Sequence, residues 1–256
     1  MNEETLYFVS DAHLGASFPD APEWERSFAE FLKSIRESAA SLYILGDLFD
    51  FWIEYRHAIR PDYFRTIHEL KNLVDRGVGV HYFAGNHDFA LGPFLTDTIG
   101  IKVYSDHYRT ELQGRKVFLY HGDGLIRKDA GYRILKRLLR NPFNQKVYKL
   151  LPPSIGIRLG SLCSGTSRKI NEHRMTETIL SEYRDRAKSY LDQGSDIVFF
   201  AHTHEAELSR WGEKTYCNTG AWMRTFNFAT MKNGTVRLWT WRRNQEPVEL
   251  PVSERK

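Results

Sequence analysis

Five short apolar runs, each ending in polar residues able to bind a metal, constrain this chain more than any other feature. Leu6-Tyr7-Phe8-Val9 runs into Ser10-Asp11-Ala12-His13, and Leu42-Tyr43-Ile44-Leu45 into Gly46-Asp47-Leu48-Phe49-Asp50. Val80-His81-Tyr82-Phe83 leads to Gly85-Asn86-His87-Asp88, and Val117-Phe118-Leu119-Tyr120 to His121-Gly122-Asp123. Ile197-Val198-Phe199-Phe200 precedes Ala201-His202-Thr203-His204. Runs of this length read as buried strands. Ligands at the carboxyl ends of such strands converge on one edge of a sheet, where α/β folds place their sites.

Between the runs, residues 23–38, 62–76 and 174–193 read as helices, with Phe28, Phe31, Leu32 and Ile35 at helical spacing in the first. Near the end, 226–231 and 235–241 form a predicted hairpin across Lys232-Asn233-Gly234, because Asn-Gly favours positive φ. No internal repeat or linker appears, so residues 1–256 are expected to form one domain interrupted by a helical insert at about 125–174. An apolar fraction of 41% with 18 Gly and 9 Pro excludes a disordered or collagen-like chain. Cys163 and Cys217 make no CxxC pair, which excludes a thiolate-rich zinc site; both are expected to be buried, reduced thiols.

Taken singly, a DxH, a GD or an HxH is weak evidence, since Gly, Asn and Asp are ordinary turn residues and His is often a hydrogen-bonded core residue. Five pieces in strand-end register are another matter. Asp, Asn and His supply oxygen and nitrogen donors that suit Mn, Fe, Zn or Mg. A carboxylate shared by two such ions about 3.5–4 Å apart lets them clamp a water and a phosphoryl oxygen together.

The series Asp11-x-His13, Gly46-Asp47-x-x-Asp50, Gly85-Asn86-His87-Asp88, His121 and His202-x-His204 resembles the calcineurin-like metallophosphoesterase superfamily. The resemblance implies a four-layer αββα sandwich and two divalent ions, Mn2+ first among them. It assigns Asp11, His13, Asp47 and His204 to one ion, and Asp47, Asn86, His121 and His202 to the other, with Asp47 bridging. His87 matches the position that contacts the scissile phosphate and protonates the leaving oxygen, oriented by Asp88; Asp50 reads either as a group behind the ligands or as a loop cap.

Finer resemblance points to the UDP-2,3-diacylglucosamine pyrophosphohydrolases of lipid A biosynthesis. Tyr43-Ile44-Leu45-Gly46-Asp47-Leu48-Phe49-Asp50-Phe51-Trp52-Ile53 is similar to their YILGDLFE-x-WI, Asn86-His87-Asp88-Phe89-Ala90-Leu91-Gly92 to their GNRDFLLG, and His121-Gly122-Asp123-Gly124-Leu125 to their HGD-x-L. Their Arg is His87 here, and their NSSK-like stretch appears as Gly165-Thr166-Ser167-Arg168. Arg is a fixed donor fork, whereas His can also deliver a proton, so the replacement bears on leaving-group preference. Asp129, Ser161 and Arg168 are carried over by position as substrate contacts. The implied reaction releases UMP and 2,3-diacylglucosamine 1-phosphate.

The net charge of +4 conceals an asymmetry: residues 125–174 hold twelve Lys and Arg against two acids, +10, and the rest holds 24 against 30, −6. Ile134, Leu135, Leu138, Leu139, Phe143, Val147, Tyr148, Leu150 and Leu151 are interleaved with those cations. A basic amphipathic segment reads as a lid that meets anionic lipid, with Pro142, Pro152 and Pro153 expected to break it into short helices. Without a signal-peptide pattern or an apolar span, the expectation is a cytoplasmic protein, peripheral at most to the inner membrane's cytoplasmic face. The rival readings are a nuclease or other phosphodiesterase of the same class, with nucleic acid the less favoured partner, and a non-catalytic scaffold, disfavoured because every ligand position is filled.

Overall fold

The computed structural model describes residues 4–55, 58–126, 130–174 and 176–255, with backbone alone for 130–132, 135 and 166–174. In chain order the strands are β1 (Thr5–Val9), β2 (Ala39–Ile44), β3 (Gly79–Phe83), β4 (Lys102–Tyr104), β5 (Tyr108–Leu112), β6 (Arg115–Leu119) and β7 (Ile197–Phe200), followed by β8 (Ala206–Trp211), β9 (Lys214–Thr219), β10 (Asn227–Lys232), β11 (Thr235–Thr240), β12 (Val248–Glu249) and β13 (Ser253–Glu254). The helices are α1 (Ala21–Ser34), α2 (Phe64–Asp75), α3 (Ala130–Leu139), α4 (Pro142–Tyr148), α5 (Pro153–Arg174) and α6 (Glu177–Asp192). One sheet runs β12-β11-β10-β1-β2-β3-β4, the other β13-β8-β9-β7-β6-β5. β1 through β4 run parallel to one another, as do β6, β7 and β9, while β10, β8 and β5 join antiparallel.

The layers follow from which faces are apolar. Leu6, Phe8, Tyr43 and Leu45 of the first sheet pack on Val117, Leu119, Ile197 and Phe199 of the second, with the rings of Phe8 and Phe199 stacked at 4.1 Å. The opposite face of the first sheet, including Leu42, Ile44, Val80 and Tyr82, takes Phe28, Phe31 and Leu32 of α1 and Leu70 and Leu73 of α2. On the second sheet, Phe118, Val198 and Phe200 receive Tyr183, Ala187 and Leu191 of α6. This is the αββα order. With both faces covered, the central strands are apolar throughout, as the five runs foretold.

The hairpin forms as β10 and β11, with Asn233 and Gly234 both at positive φ. Pro142 and Pro153 begin α4 and α5, where a missing N–H is harmless, and α5 then continues for 22 residues. The insert is therefore not uniformly short-helical: these prolines start helices instead of interrupting them. Cys217 is buried but Cys163 is exposed, against the expectation of two buried thiols, because it lies on α5 where that helix borders a cleft. Among the described residues, no helix is long and apolar enough to cross a membrane.

Candidate metal centre

The loops after β1, β2 and β3 meet those after β6 and β7 at one end of the two sheets. Main-chain bonds tie them together: Asp11 N to Gly46 O at 3.1 Å, His13 N to Asp47 O at 3.0 Å, and Ala201 N to His121 O at 2.9 Å. Among the described residues, five of the ten non-glycine residues at positive φ are Asp11, His13, Asp47, His202 and His204. Left-handed backbone costs about 1 kcal/mol or more at each. That cost turns each side chain inward at a point where a continuing strand would alternate faces. Two glycines permit the convergence: a Cβ on Gly85 would lie 2.1 Å from Asp47 Oδ1, and one on Gly46 would lie 2.5 Å from His121 Nδ1.

Asp11, His13 and His204 bring ligand atoms within 4.8 Å of one another; so do Asp47, His121 and His202, and so do His13, Asp47 and His87. His13 Nε2 is 3.3 Å from His204 Nε2, and His202 Nδ1 is 3.2 Å from His121 Nε2. Asn86 Oδ1 stands 3.1 Å and Asp47 Oδ2 3.4 Å from that same His121 Nε2. Buried Asp11 Oδ1 makes no hydrogen bond of acceptable geometry, although it lies 3.3 Å from His204 Nε2 and 3.9 Å from His13 Nε2. Facing lone pairs repel, so protons or cations belong between these atoms. The donor set and the unpartnered carboxylate oxygen fit divalent metal binding, with Asp47 common to two of the three groups.

The electrostatics agree. Burial alone would raise Asp47, yet His121, His87 and His13 hold its carboxyl well below the usual range. Burial opposes a charged His121, but Asp47 overrides it and lifts the ring to about 10, a proton that a bound cation would displace. Burial and then His121 push His202 down to about 4, leaving a neutral imidazole ready to ligate. His121 Nδ1 lies 2.7 Å from Leu45 O, which selects Nε2 as its free donor nitrogen.

Asp88 requires a correction. Its carboxylate accepts from Asp47 N at 3.1 Å, Phe49 N at 3.2 Å, Gly85 N at 2.9 Å and the Tyr82 hydroxyl, and it does not bond the His87 ring it was expected to orient. It ties the Asp47 loop to the Asn86 loop, because its acceptor sites are spent on N–H groups that two irregular loops leave unpaired. The His87 ring is instead met by Asp50, whose main-chain O is 3.1 Å from His87 Nδ1. Asp50 Oδ1 also lies 3.7 Å from His13 Nδ1, so it stands behind two of the candidate groups.

Beside Asn86 and His87 opens a cleft of about 500 Å³. Phe51, Trp52, Ile53, Phe89 and Ala90 line the body side, and Leu138, Leu139, Tyr148 and Leu159 the insert side. The insert is clamped at this margin by buried Asp123, 2.9 Å from Lys136 Nζ and 3.6 Å from Arg140 Nη2, and Arg140 Nη2 also donates to Gly85 O at 3.0 Å. Ser161 accepts from Arg60 at 3.3 Å and is not among the residues lining the cleft. Asp129 and the Arg168 side chain lie outside the described residues. The sequence reading missed Ser164, Lys136 and Arg140. For Ser164 a signal existed in the four-residue spacing Gly156, Gly160, Ser164.

The calcineurin-like phosphoesterase family pattern matches residues 5–206, a span holding all of these residues. This chain belongs to that family. A UDP-2,3-diacylglucosamine hydrolase of Porphyromonas gingivalis is 32% identical to it over 91% of this chain and 96% of that one. A protein of the same name from Pseudomonas putida is 31% identical over 80% of this chain and 84% of its own. Among solved structures, Vacuolar Protein Sorting 29 from Cryptosporidium parvum is 15% identical, with a TM-score of 0.48, covering 98% of this chain and 97% of that one.

Proposed function

We propose that this calcineurin-like phosphoesterase hydrolyses the pyrophosphate of UDP-2,3-diacylglucosamine, releasing UMP and 2,3-diacylglucosamine 1-phosphate. The observation that carries the reading is the juxtaposition at the cleft: an apolar volume of about 500 Å³ beside Asn86 and His87 suits acyl chains next to a phosphoryl group. The names of the two bacterial relatives support the same substrate. In this reading Asp11, His13, Asp47 and His204 hold one divalent ion and Asp47, Asn86, His121 and His202 the other, with Mn2+ the ion of choice. Divalent ions held there would supply Lewis acidity toward phosphoryl oxygens and make hydroxide available near neutral pH.

The chain's own residues supply the rest. Asp47, kept ionised, holds both halves of the site in register. His87 lines the cleft, where it would contact the scissile phosphate and give a proton to the leaving oxygen. Lys136 and Arg140 place cationic groups on the cleft margin. Outside the cleft, Ile134, Phe143, Leu150 and Leu162 are 68%, 70%, 82% and 63% exposed, and with the +10 charge of the insert they support contact with an anionic lipid surface at the cytoplasmic face of the membrane.

The test is to incubate the Mn2+-loaded protein with detergent-dispersed UDP-2,3-diacylglucosamine and follow UMP. Release of UMP is expected. No UMP alongside brisk cleavage of bis(p-nitrophenyl) phosphate would overturn the substrate and keep the chemistry.

A further inference from the structure

We propose that Ser164, carried by α5 of the insert, is a positioning residue for His87, so that seating of the insert completes the orientation of the reacting imidazole. The inference rests on the phosphohydrolase reading of the site and adds to it the element that controls His87.

Gly156, Gly160 and Ser164 follow one another at four-residue intervals and so share one face of α5. Close approach of that face depends on the missing side chains: a Cβ on Gly156 would come within 1.8 Å of the Tyr55 hydroxyl oxygen, and one on Gly160 within 2.2 Å of the Phe51 ring. The helix therefore lies directly against the 50–55 segment. One turn further along the same face, Ser164 is buried and reaches the candidate centre.

Hydrogen-bond chemistry there has one consistent solution. Ser164 Oγ donates to Asp50, whose Oδ1 is 2.9 Å away and whose main-chain O is also in contact. A hydroxyl has one proton, so toward His87 Nδ1, which it also touches, Ser164 offers a lone pair. Nδ1 also lies 3.1 Å from Asp50 O, an oxygen that can only accept. Both contacts require the proton on Nδ1, leaving Nε2 as the nitrogen not spent on these bonds. The ring is gripped from the body by Asp50 and from the insert by Ser164. Since Ser164 and His87 both line the cleft, the surface that receives the substrate also aligns the imidazole.

The test combines a double-mutant cycle with a spectroscopic readout. On UDP-2,3-diacylglucosamine, Ser164→Ala is expected to lower kcat about tenfold with KM changed less than about twofold, and Ser164→Thr, which keeps the hydroxyl, to restore most of the loss. In a His87→Ala background Ser164→Ala should add nothing, because its effect passes through the ring. In Mg2+-loaded protein carrying 15N-histidine, the His87 Nδ1–H signal should be protected from solvent exchange in the wild type and in Ser164→Thr, and should exchange faster and shift upfield in Ser164→Ala. Additive losses in the cycle, or a His87 signal unmoved by Ser164→Ala, would overturn the proposal. Should the wild type release no UMP, the substrate reading falls, and the NMR comparison by itself decides the role of Ser164.

Discussion

Replacing Asp88 separates a scaffold role from a role in the chemistry. In the native protein its carboxylate accepts four hydrogen bonds, from Asp47 N, Phe49 N, Gly85 N and the Tyr82 hydroxyl, with no exposure to solvent. Asp88→Asn keeps one oxygen for Asp47 N and Gly85 N, and puts an NH2 where Oδ2 had faced Phe49 N and the Tyr82 hydroxyl. The hydroxyl can rotate to accept; the Phe49 N–H cannot. One stranded buried donor costs about 1–3 kcal/mol. Part of that is returned, because burial and then Asp47 already raise Asp88 to about 6, and the neutral amide relieves both penalties. The expected loss is about 1–2 kcal/mol for Asp88→Asn. Asp88→Ala strands all four donors, and with water entering the vacated space the expected loss is about 3–5 kcal/mol, a large share of the roughly 5–15 kcal/mol of a typical domain. Urea unfolding in EDTA, with an unchanged m-value, measures both without a contribution from bound metal. A stability within about 0.5 kcal/mol of wild type for Asp88→Asn, together with a kcat as low as that of His87→Ala, would refute the reasoning and return Asp88 to orienting His87.

Asp47→Ala is expected to abolish Mn2+-dependent hydrolysis while circular dichroism stays native, and near-normal turnover in that variant would exclude a shared-carboxylate centre. Lys136→Met removes from buried Asp123 the cation 2.9 Å away, so a loss of about 2–3 kcal/mol in urea unfolding is expected, with a rise in KM as the cleft margin loosens. Burial, and then Lys102, depress His81 to about 4, below its ordinary value near 6.5. Between those values the unfolded chain takes up a proton that the native state resists, so His81 contributes a loss of stability as pH falls from about 6.5 toward 4. His81→Gln should make the decline across that window shallower; an unaltered slope would show that other groups set it.

The sequence by itself determined the fold class and the composition of the centre. Apolar runs of strand length alternating with helical stretches bury both faces of a strand, so helix-covered strands and the convergence of Asp11, Asp47, Asn86, His121, His202 and His204 on one sheet edge were readable from spacing, while the αββα order came from the family resemblance. Those features are local: a run ends, and a donor follows. What Asp88 and Ser164 do depends on residues brought beside them by folding. Asp88 sits next to His87 in the chain, yet its carboxylate serves Asp47 and Phe49, 41 and 39 residues away. Ser164 is 77 residues from His87 and touches it, whereas Ser161, one turn earlier, faces Arg60. Three positions along a helix advance about 4.5 Å and stop about 60° short of a full turn, enough to carry a side chain as short as serine's from Arg60 to the imidazole. Only the packed tertiary structure decides which direction meets the imidazole.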